Sequence, residues 1–362
     1  MMSLIIGLGV ILVLFILYLI FRIGNLVGLV KGAKKEEDLP GNSVHGFLFL
    51  FFFVVGLAVF VWYSYVHFDS YVLPIASEHG ALTDHLFWIT MAVTVVAFGL
   101  ISLIMFWFTY KYSYDPKRKA TFFPDSHKLE IVWTIIPAIV LALLIFRGLR
   151  VWNDITSPAS EQAEVIELIG QQFAWTARYP GVKDNQLGEV NYKLIDAVNE
   201  FGLDLTDKNS FDDFKSLELH LPKGKEVHLK IRAKDVLHSV FLPHFRVKMD
   251  AVPGMYTNFK FVPTKSTADM RAETGNPDFN YEMACTEVCG KGHFSMRFLV
   301  VVDEPEDFEK WKAGQEAWLK QNPDYLTRVP AALREVAMIK SGIPVESNAG
   351  VSAPTQTVSI SN

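Results

Sequence analysis

The first 150 residues and the rest of the chain differ in how hydrophobic and polar positions are arranged. Four apolar runs near the N-terminus are each long enough to cross a bilayer, which takes about 20 residues as a helix. They lie at about 4–24, 46–66, 86–109 and 131–149. From Glu164 onward short alternating runs are separated by Pro-Gly and similar turns, which predicts β-strands. Examples are 165–169, 173–179, 227–231 and 298–302. The pattern predicts a membrane-anchored protein with a helical transmembrane N-terminal region and an all-β extramembrane domain.

Five segments follow from this pattern. They are 1–45, a transmembrane helix and loop; 46–85, a second such helix and loop; 86–150, a transmembrane helical hairpin; 151–305, the β domain; and 306–362, a C-terminal helical segment and tail. Residues 182–216 are polar and weakly patterned, which indicates an insertion between strands. The last dozen residues are rich in Ser, Thr and Ala, a composition typical of disorder.

Basic residues in the short loops predict the orientation in the membrane. They lie after the first and third apolar runs and include Lys31, Lys34, Lys35, Lys111, Lys117, Arg118, Lys119 and Lys128, whereas the loop 67–85 has none. Those loops are therefore expected in the cytoplasm and the β domain outside, which in a bacterium means an inner-membrane protein with its β domain in the periplasm. The net charge of −5 and the lack of a basic stripe argue against nucleic-acid binding.

Both cysteines of the chain, Cys285 and Cys289, lie within twelve residues of a histidine and a methionine, His293 and Met296. Two thiolates, an imidazole and a thioether are soft ligands that favour copper. A separation of four residues lets the two sulfurs bridge two metal ions, and His238 is the candidate for a further imidazole. Three other interpretations are a disulfide in an oxidising compartment, a zinc site and a haem attachment. Zinc has no use for the methionine and usually takes CxxC, and no CxxCH is present.

The string CTEVCGKGHFSM resembles the CxExCxxxHxxM signature of subunit II of the haem-copper cytochrome c oxidases, whose dinuclear copper centre is called CuA. The resemblance extends to three further segments and covers roughly residues 86–303. These segments are 129–137, 235–239 and 248–254. It implies that the β domain is a cupredoxin barrel and that the helices 86–150 are the family's hairpin, so that the first two spans are additional.

The resemblance also implies the ligands of the copper pair. Cys285 and Cys289 would bridge the two ions, His238 and Met296 would complete one, and His293 with the backbone carbonyl of Glu287 would complete the other. The carboxylate of Glu287 would reach a magnesium ion shared with subunit I. His228 and His244 are further imidazoles, and hydrogen bonding is the ordinary role of such residues.

Four more positions receive roles from the resemblance. Glu130 would begin a proton pathway, although a carboxylate is also favoured in a helix's first turn. Asp250 would lie near the copper and the docking region, the alternative being a turn-capping carboxylate. Phe173 aligns with the tryptophan that receives the electron, and Trp175 with a second tryptophan. Met255 replaces the family's arginine.

The implied function is that of a subunit of a proton-translocating terminal oxidase, which takes single electrons from a c-type cytochrome and passes them through CuA to haem in subunit I, where oxygen is reduced to water. A quinol oxidase subunit is one alternative, but that relative has lost the copper ligands. A copper-delivery cupredoxin is a second, although transient metal handling does not require a bridging pair with axial ligands. Nitrous oxide reductase is a third, but it is soluble and longer.

Overall fold

The structure is a computed structural model that describes residues 2–30, 42–113, 118–182 and 184–345. The helices are α1 (Met2–Val30), α2 (Asn42–Val66), α3 (Phe68–Tyr71), α4 (Glu78–Lys111), α5 (His127–Thr156), α6 (Thr267–Thr274), α7 (Pro305–Ala313), α8 (Trp318–Gln321) and α9 (Arg334–Ser341). The strands are β1 (Glu164–Gln171), β2 (Ala174–Tyr179), β3 (Phe214–Ser216), β4 (Leu219–Pro222), β5 (Val227–Ala233), β6 (His238–Leu242), β7 (Val247–Ala251), β8 (Thr257–Phe261), β9 (Tyr281–Cys285) and β10 (Arg297–Asp303). The predicted strand 173–179 thus begins one residue later, at Ala174.

Among the described residues, the four helices α1, α2, α4 and α5 are long and apolar enough to cross a membrane, as the four predicted spans require. Pro137 lies inside α5, and the helix continues on both sides of it. Lys31, Lys34, Lys35 and Lys117 of the predicted cytoplasmic loops lie outside the described residues, as does the predicted tail after residue 345. The chain divides into two compact units, one of Met1–Val72 with Ile89–Ile139 and one of Leu73–Trp88 with Val140–Asn362.

In the first unit, α2 packs against α4 through aromatic rings and one glycine. The rings of Phe53 and Phe106 stack with centroids 4.7 Å apart. A Cβ added to Gly46 would lie 2.9 Å from the Cα of Tyr110, so only glycine permits this approach of the two backbones. Close contact through small residues is a common basis of helix association in membranes, where the lipid provides no hydrophobic driving force between helices.

Within the described residues of the second unit, ten strands form two five-stranded sheets, which confirms the all-β prediction for this part of the chain. The strand orders are β3-β2-β1-β5-β8 and β4-β10-β9-β6-β7. Most neighbouring strands are antiparallel, but β1 with β5 and β10 with β4 are parallel pairs. Alternate side chains of both sheets point inward and form the main core, which includes Tyr179, Leu229, Phe259, Tyr281 and Val300.

A second apolar core covers the outer face of the first sheet. Its members come from β1, from the predicted insertion and from the C-terminal segment: Ile169, Phe201, Leu203, Leu205, Phe211, Trp318, Leu319, Val329 and Ala337. The insertion is therefore a packed structure despite its polar composition. Its apolar residues are few, and they are buried by a partner segment more than 100 residues away in the sequence.

Buried charges connect the insertion to the same sheet. The carboxylate of Glu167 on β1 accepts hydrogen bonds from Arg178, from Arg232 at 2.5 Å and from the hydroxyl of Tyr256 at 2.9 Å. Arg178 also pairs with Asp213 at the end of the insertion. Burial by itself raises the pKa of Glu167, but the two arginines outweigh it and hold the pKa below its ordinary value. Each buried charge thus has an opposite charge beside it, as desolvation requires.

A bidentate ion pair connects the start of α4 to the β domain. Arg246 donates to the two carboxylate oxygens of Asp84 at 2.7 and 2.9 Å, and to the carbonyls of Leu73 and Pro243. Its φ of 55° lies in the left-handed region, which costs an L-residue roughly 1–2 kcal/mol. These four hydrogen bonds offset that cost and fix the segment before the membrane hairpin to the β domain.

Candidate metal centre

The predicted ligands meet at one end of the main core. His238 begins β6, Cys285 ends β9, and the two strands are paired so that Val240 lies opposite Cys285. The chain then forms a loop that returns at Met296, immediately before β10. His238, Cys285, Cys289 and Met296 are buried, whereas His293 is partly exposed.

The ligand atoms lie at distances that a pair of metal ions could span. The two sulfurs of Cys285 and Cys289 are 3.9 Å apart, and both thiols are free. On one side, Nδ1 of His238 lies 3.8 Å from the Cys285 sulfur and the Met296 sulfur lies 3.8 Å from the Cys289 sulfur. On the other, Nδ1 of His293 lies 3.6 Å from the Cys289 sulfur, and the Glu287 carbonyl oxygen lies 3.3 Å from the Cys285 sulfur. His238, Cys285 and Cys289 have their ligand atoms within 4.8 Å of one another and form a group that could hold a metal.

Burial raises the pKa of the Cys289 thiol to about 11, and the neighbouring Cys285 adds to the effect. Without a metal this thiol therefore remains protonated at neutral pH. A bound cation reverses the preference, since coordinated thiols lose their protons. Buried thiols that lose their protons only when a cation binds are suited to holding a metal.

Two residues outside the predicted ligand set connect the loops around this group. Asp235 accepts a hydrogen bond of 2.9 Å from Nε2 of His238 and one of 2.7 Å from the backbone amide of Gln172. The side chain of Gln172 in turn donates to the carbonyl of Cys289 at 2.6 Å. Partial burial alone raises the pKa of Asp235, but these hydrogen bonds outweigh it and lower the pKa. In the sequence, the position of Asp235 three residues before His238 was the signal from which its role could have been predicted.

Phe173 and Trp175 both lie beside the centre, at different depths. Phe173 is 38% exposed and its ring lies over the cysteine loop, where a Cβ on Gly292 would be 2.5 Å from its Cγ. Trp175 is only 2% exposed, and its ring meets that of His238 edge to face with centroids 5.7 Å apart. Of these two rings, Phe173 is therefore the one that a partner protein could contact.

The remaining predicted positions are those to which the resemblance gave roles other than copper binding: the side chain of Glu287, Asp250, Met255 and Glu130. The Glu287 side chain is partly buried and has no hydrogen bond or ion pair among the described residues. Asp250 is in β7, not in a turn, opposite Ser239; hydrogen bonds from Ser239 and from Lys248 lower its pKa. Met255 is exposed, and Glu130 lies in the first turn of α5, 3.8 Å from His127.

The two remaining histidines have partners of their own. His228 contacts the side-chain oxygen of Asn258 at 3.1 Å, and the ring of His244 packs against Phe279 and Tyr281. Burial lowers the pKa of both rings. Neither belongs to the group around the cysteines.

Comparison with known proteins agrees with this arrangement. The profile of the cytochrome c oxidase subunit II periplasmic domain matches residues 164–303, and that of the subunit II transmembrane domain matches residues 61–151. The alternative cytochrome c oxidase subunit 2 of Bradyrhizobium diazoefficiens is 34% identical over 250 residues, which cover 68% of this chain and 84% of that protein. The chain belongs to the cytochrome c oxidase subunit II family. It is accordingly a subunit of an oxidoreductase, with membrane-spanning helices and a cupredoxin-like extramembrane domain.

Two further relatives of this subunit II are more distant. Cytochrome c oxidase subunit 2 of Thermostichus vulcanus is 29% identical over 266 residues, covering 67% of this chain and 77% of that protein. The crystal structure of the periplasmic domain of subunit II of the cytochrome oxidase of Bradyrhizobium japonicum is 23% identical, with a TM-score of 0.29, and covers 43% of this chain and 93% of that one. The profiles begin at residue 61, so α1 and most of α2 precede the matched part.

Proposed function

We propose that this subunit II takes single electrons from a c-type cytochrome at a dinuclear copper centre of the CuA type and passes them to haem in subunit I, for the reduction of oxygen to water. The observation that carries the proposal is the convergence of six donor atoms from His238, Cys285, Glu287, Cys289, His293 and Met296.

The donor set fits two copper ions better than one. Two sulfurs 3.9 Å apart leave room for metal ions between them, and an imidazole stands beside each sulfur. The thioether and the carbonyl are weak donors of the kind that tune the potential of copper sites. Two copper ions held there would supply a redox centre with one unpaired electron shared by both ions, so that reduction would change the surrounding structure little.

The copper content and the EPR spectrum of the purified full-length subunit test this proposal. The full-length subunit should bind two copper ions and give the EPR signal of one unpaired electron shared by both. Cys289→Ser should abolish that signal because one bridging sulfur is lost. Met296→Leu should keep both ions and change the reduction potential, since an axial thioether tunes more than it holds. A single-copper blue spectrum or a preference for zinc would contradict the assignment.

A magnesium site at Glu287 is a second part of the proposal. Its backbone carbonyl faces the sulfur of Cys285, while its carboxylate has no protein partner within the described residues. A hard cation prefers carboxylate and water oxygens, and subunit I would complete the site. Glu287→Gln should weaken manganese binding in the assembled oxidase, measured by manganese EPR, with the copper signal unchanged. Equal manganese binding in wild type and variant would contradict this role.

Glu130 is proposed to begin a proton pathway. It lies in the first turn of α5, directly after the loop that we expect on the cytoplasmic side of a bacterial inner membrane because of its lysines and arginines. The same orientation puts the copper domain in the periplasm. Carboxylates at membrane boundaries often mark proton routes. Glu130→Ala should slow oxygen consumption at saturating reductant and leave the copper spectrum unaltered; an unchanged rate would refute the role.

A further inference from the structure

The two histidines of the metal centre differ in how their second ring nitrogen is held. Nδ1 of both rings faces a cysteine sulfur. Nε2 of His238 is 2.9 Å from a carboxylate oxygen of Asp235, and the ring is fully buried. Nε2 of His293 has no hydrogen bond to the described residues, and that ring is partly exposed.

The chemistry of the Asp235 contact fixes the tautomer of His238. An ionised carboxylate only accepts hydrogen bonds, so Nε2 must carry the proton and donate it. Nδ1 is then left with its lone pair, and this atom is the one that faces Cys285. A histidine ligand held by a carboxylate in this way is oriented for a metal and made more basic.

Asp235 is itself held in place from two sides. Its second carboxylate oxygen accepts from the amide of Gln172, and its first also accepts from the amide of Val236. Gln172 then reaches the carbonyl of Cys289. A continuous chain of hydrogen bonds therefore runs from the ring of His238 to the backbone of the cysteine loop, so that the two ligand-bearing loops cannot move independently.

We propose that Asp235 is a positioning residue of the copper centre, which holds His238 with Nδ1 toward the metal and, with Gln172, fixes its distance from the cysteine loop. The inference rests on the proposed copper function. It implies an asymmetric centre, in which the ion at His238 is held by a rigid ligand and the ion at His293 by a ligand open to solvent.

The test uses the full-length chain in detergent, stripped of metal and titrated with copper in competition with a chelator. Asp235→Ala should lower the copper affinity by about 10–100-fold, the usual cost of removing such a partner. Asp235→Asn keeps a carbonyl oxygen of similar position and should lose less affinity. In both variants the reduction potential should rise, because the negative charge that favours oxidised copper is gone. Glu309→Gln, which removes an exposed charge on α7, is the matched control and should leave affinity and potential at wild-type values.

A spectroscopic measurement separates positioning from general stability. Proton ENDOR of the oxidised protein transferred into D2O should show that the ring N–H proton of His293 exchanges quickly and that of His238 slowly. In Asp235→Ala the His238 proton should also exchange quickly, while the His293 proton should behave as in wild type. Wild-type affinity, potential and exchange in both Asp235 variants would overturn the inference while leaving the copper function intact. Failure of the wild-type chain to bind two copper ions would instead overturn the proposed function.

Discussion

Asp213 is a buried carboxylate at the junction of the insertion and the first sheet. Burial raises its pKa to about 7, although Arg178 and the amide of Gly188 donate to it. In the unfolded chain an aspartate has a pKa of about 4. Between these two values the folded state retains a proton that the unfolded state has released. The contribution of Asp213 to stability is therefore complete below about pH 4, is lost as the pH rises to about 7, and is constant above that.

Asp213→Asn should remove this pH dependence because the amide remains neutral and can still accept from Arg178. The variant should gain stability relative to wild type as the pH rises from about 4 to 7, by up to about 4 kcal/mol. Thermal unfolding of the full-length protein at a series of pH values measures the difference. If the difference in stability between Asp213→Asn and wild type were the same at every pH, Asp213 would be ionised throughout this range, as the partner of Arg178.

The exposed ring of Phe173 is the predicted contact for the electron donor. Gln172, the residue before it, donates a hydrogen bond to the carbonyl of Cys289, so a short route leads from this ring to one of the proposed copper ligands. Phe173→Ala should slow electron transfer within the donor complex at least about tenfold, with little change in binding, since the route loses its outermost aromatic group. Stopped-flow kinetics at saturating donor measures the step. If Trp175→Phe slows transfer and Phe173→Ala does not, the route begins elsewhere.

At the scale of elements, the second core makes the insertion and the C-terminal segment dependent on each other. Trp318→Ala should destabilise the protein by about 3–5 kcal/mol, the usual cost of removing a large buried aromatic side chain. Hydrogen exchange should then rise together in residues 184–213 and 305–345. Tyr192→Ala, at a ring that is 75% exposed, is the control and should change little. Faster exchange in the C-terminal segment alone would show that the insertion folds independently.

The association of α2 with α4 depends on one glycine. Gly46→Leu places a side chain where the backbone of Tyr110 lies, whereas the matched Gly56→Leu changes a position with no atom within 4 Å. Cysteine cross-linking between α2 and α4 in membranes should therefore fail for the first variant and persist for the second. Equal cross-linking in both would mean that the aromatic contacts around Phe53 and Phe106 suffice.

For the whole molecule, the net charge of −5 overstates the acidic surface available to a donor. Asp250, which is expected near the docking region, pairs with Lys248, and Glu282 pairs with Arg297. Local neutralisation of this kind weakens electrostatic steering, which otherwise raises association rates by about 10–1000-fold.

The association rate with a basic c-type cytochrome should accordingly change by less than about tenfold as the ionic strength rises from 0.01 M to 0.15 M, where the screening length falls from about 30 Å to about 8 Å. Arg297→Gln leaves Glu282 unpaired and should steepen this dependence. Stopped-flow mixing at several salt concentrations measures both. A steep decline already present in the wild type would mean that other acidic groups steer the donor.

The membrane spans and the proposed metal ligands could be located in the sequence because both depend on local chemistry. Each span is a continuous apolar run, and five of the six proposed donors lie between Cys285 and Met296, where the backbone alone keeps them close. The second imidazole, His238, was found only through its resemblance to a known segment. Its meeting with Cys285 depends on the pairing of β6 with β9, which no pattern within either strand specifies.

Tertiary structure decided what surrounds those ligands and what covers the β domain. Asp235 and Gln172 contact the proposed ligands because three loops meet at the centre. Phe173 is exposed to solvent and Trp175 is buried because β2 begins between them. The insertion has too few apolar residues to show a hydrophobic periodicity in its sequence. Its core forms only when a distant segment supplies Trp318 and Leu319. Contacts between residues far apart in the chain leave no periodic trace in either segment. The sequence therefore determined the spans and the proposed ligands, and only the fold determined which hydrogen bonds hold those ligands in place.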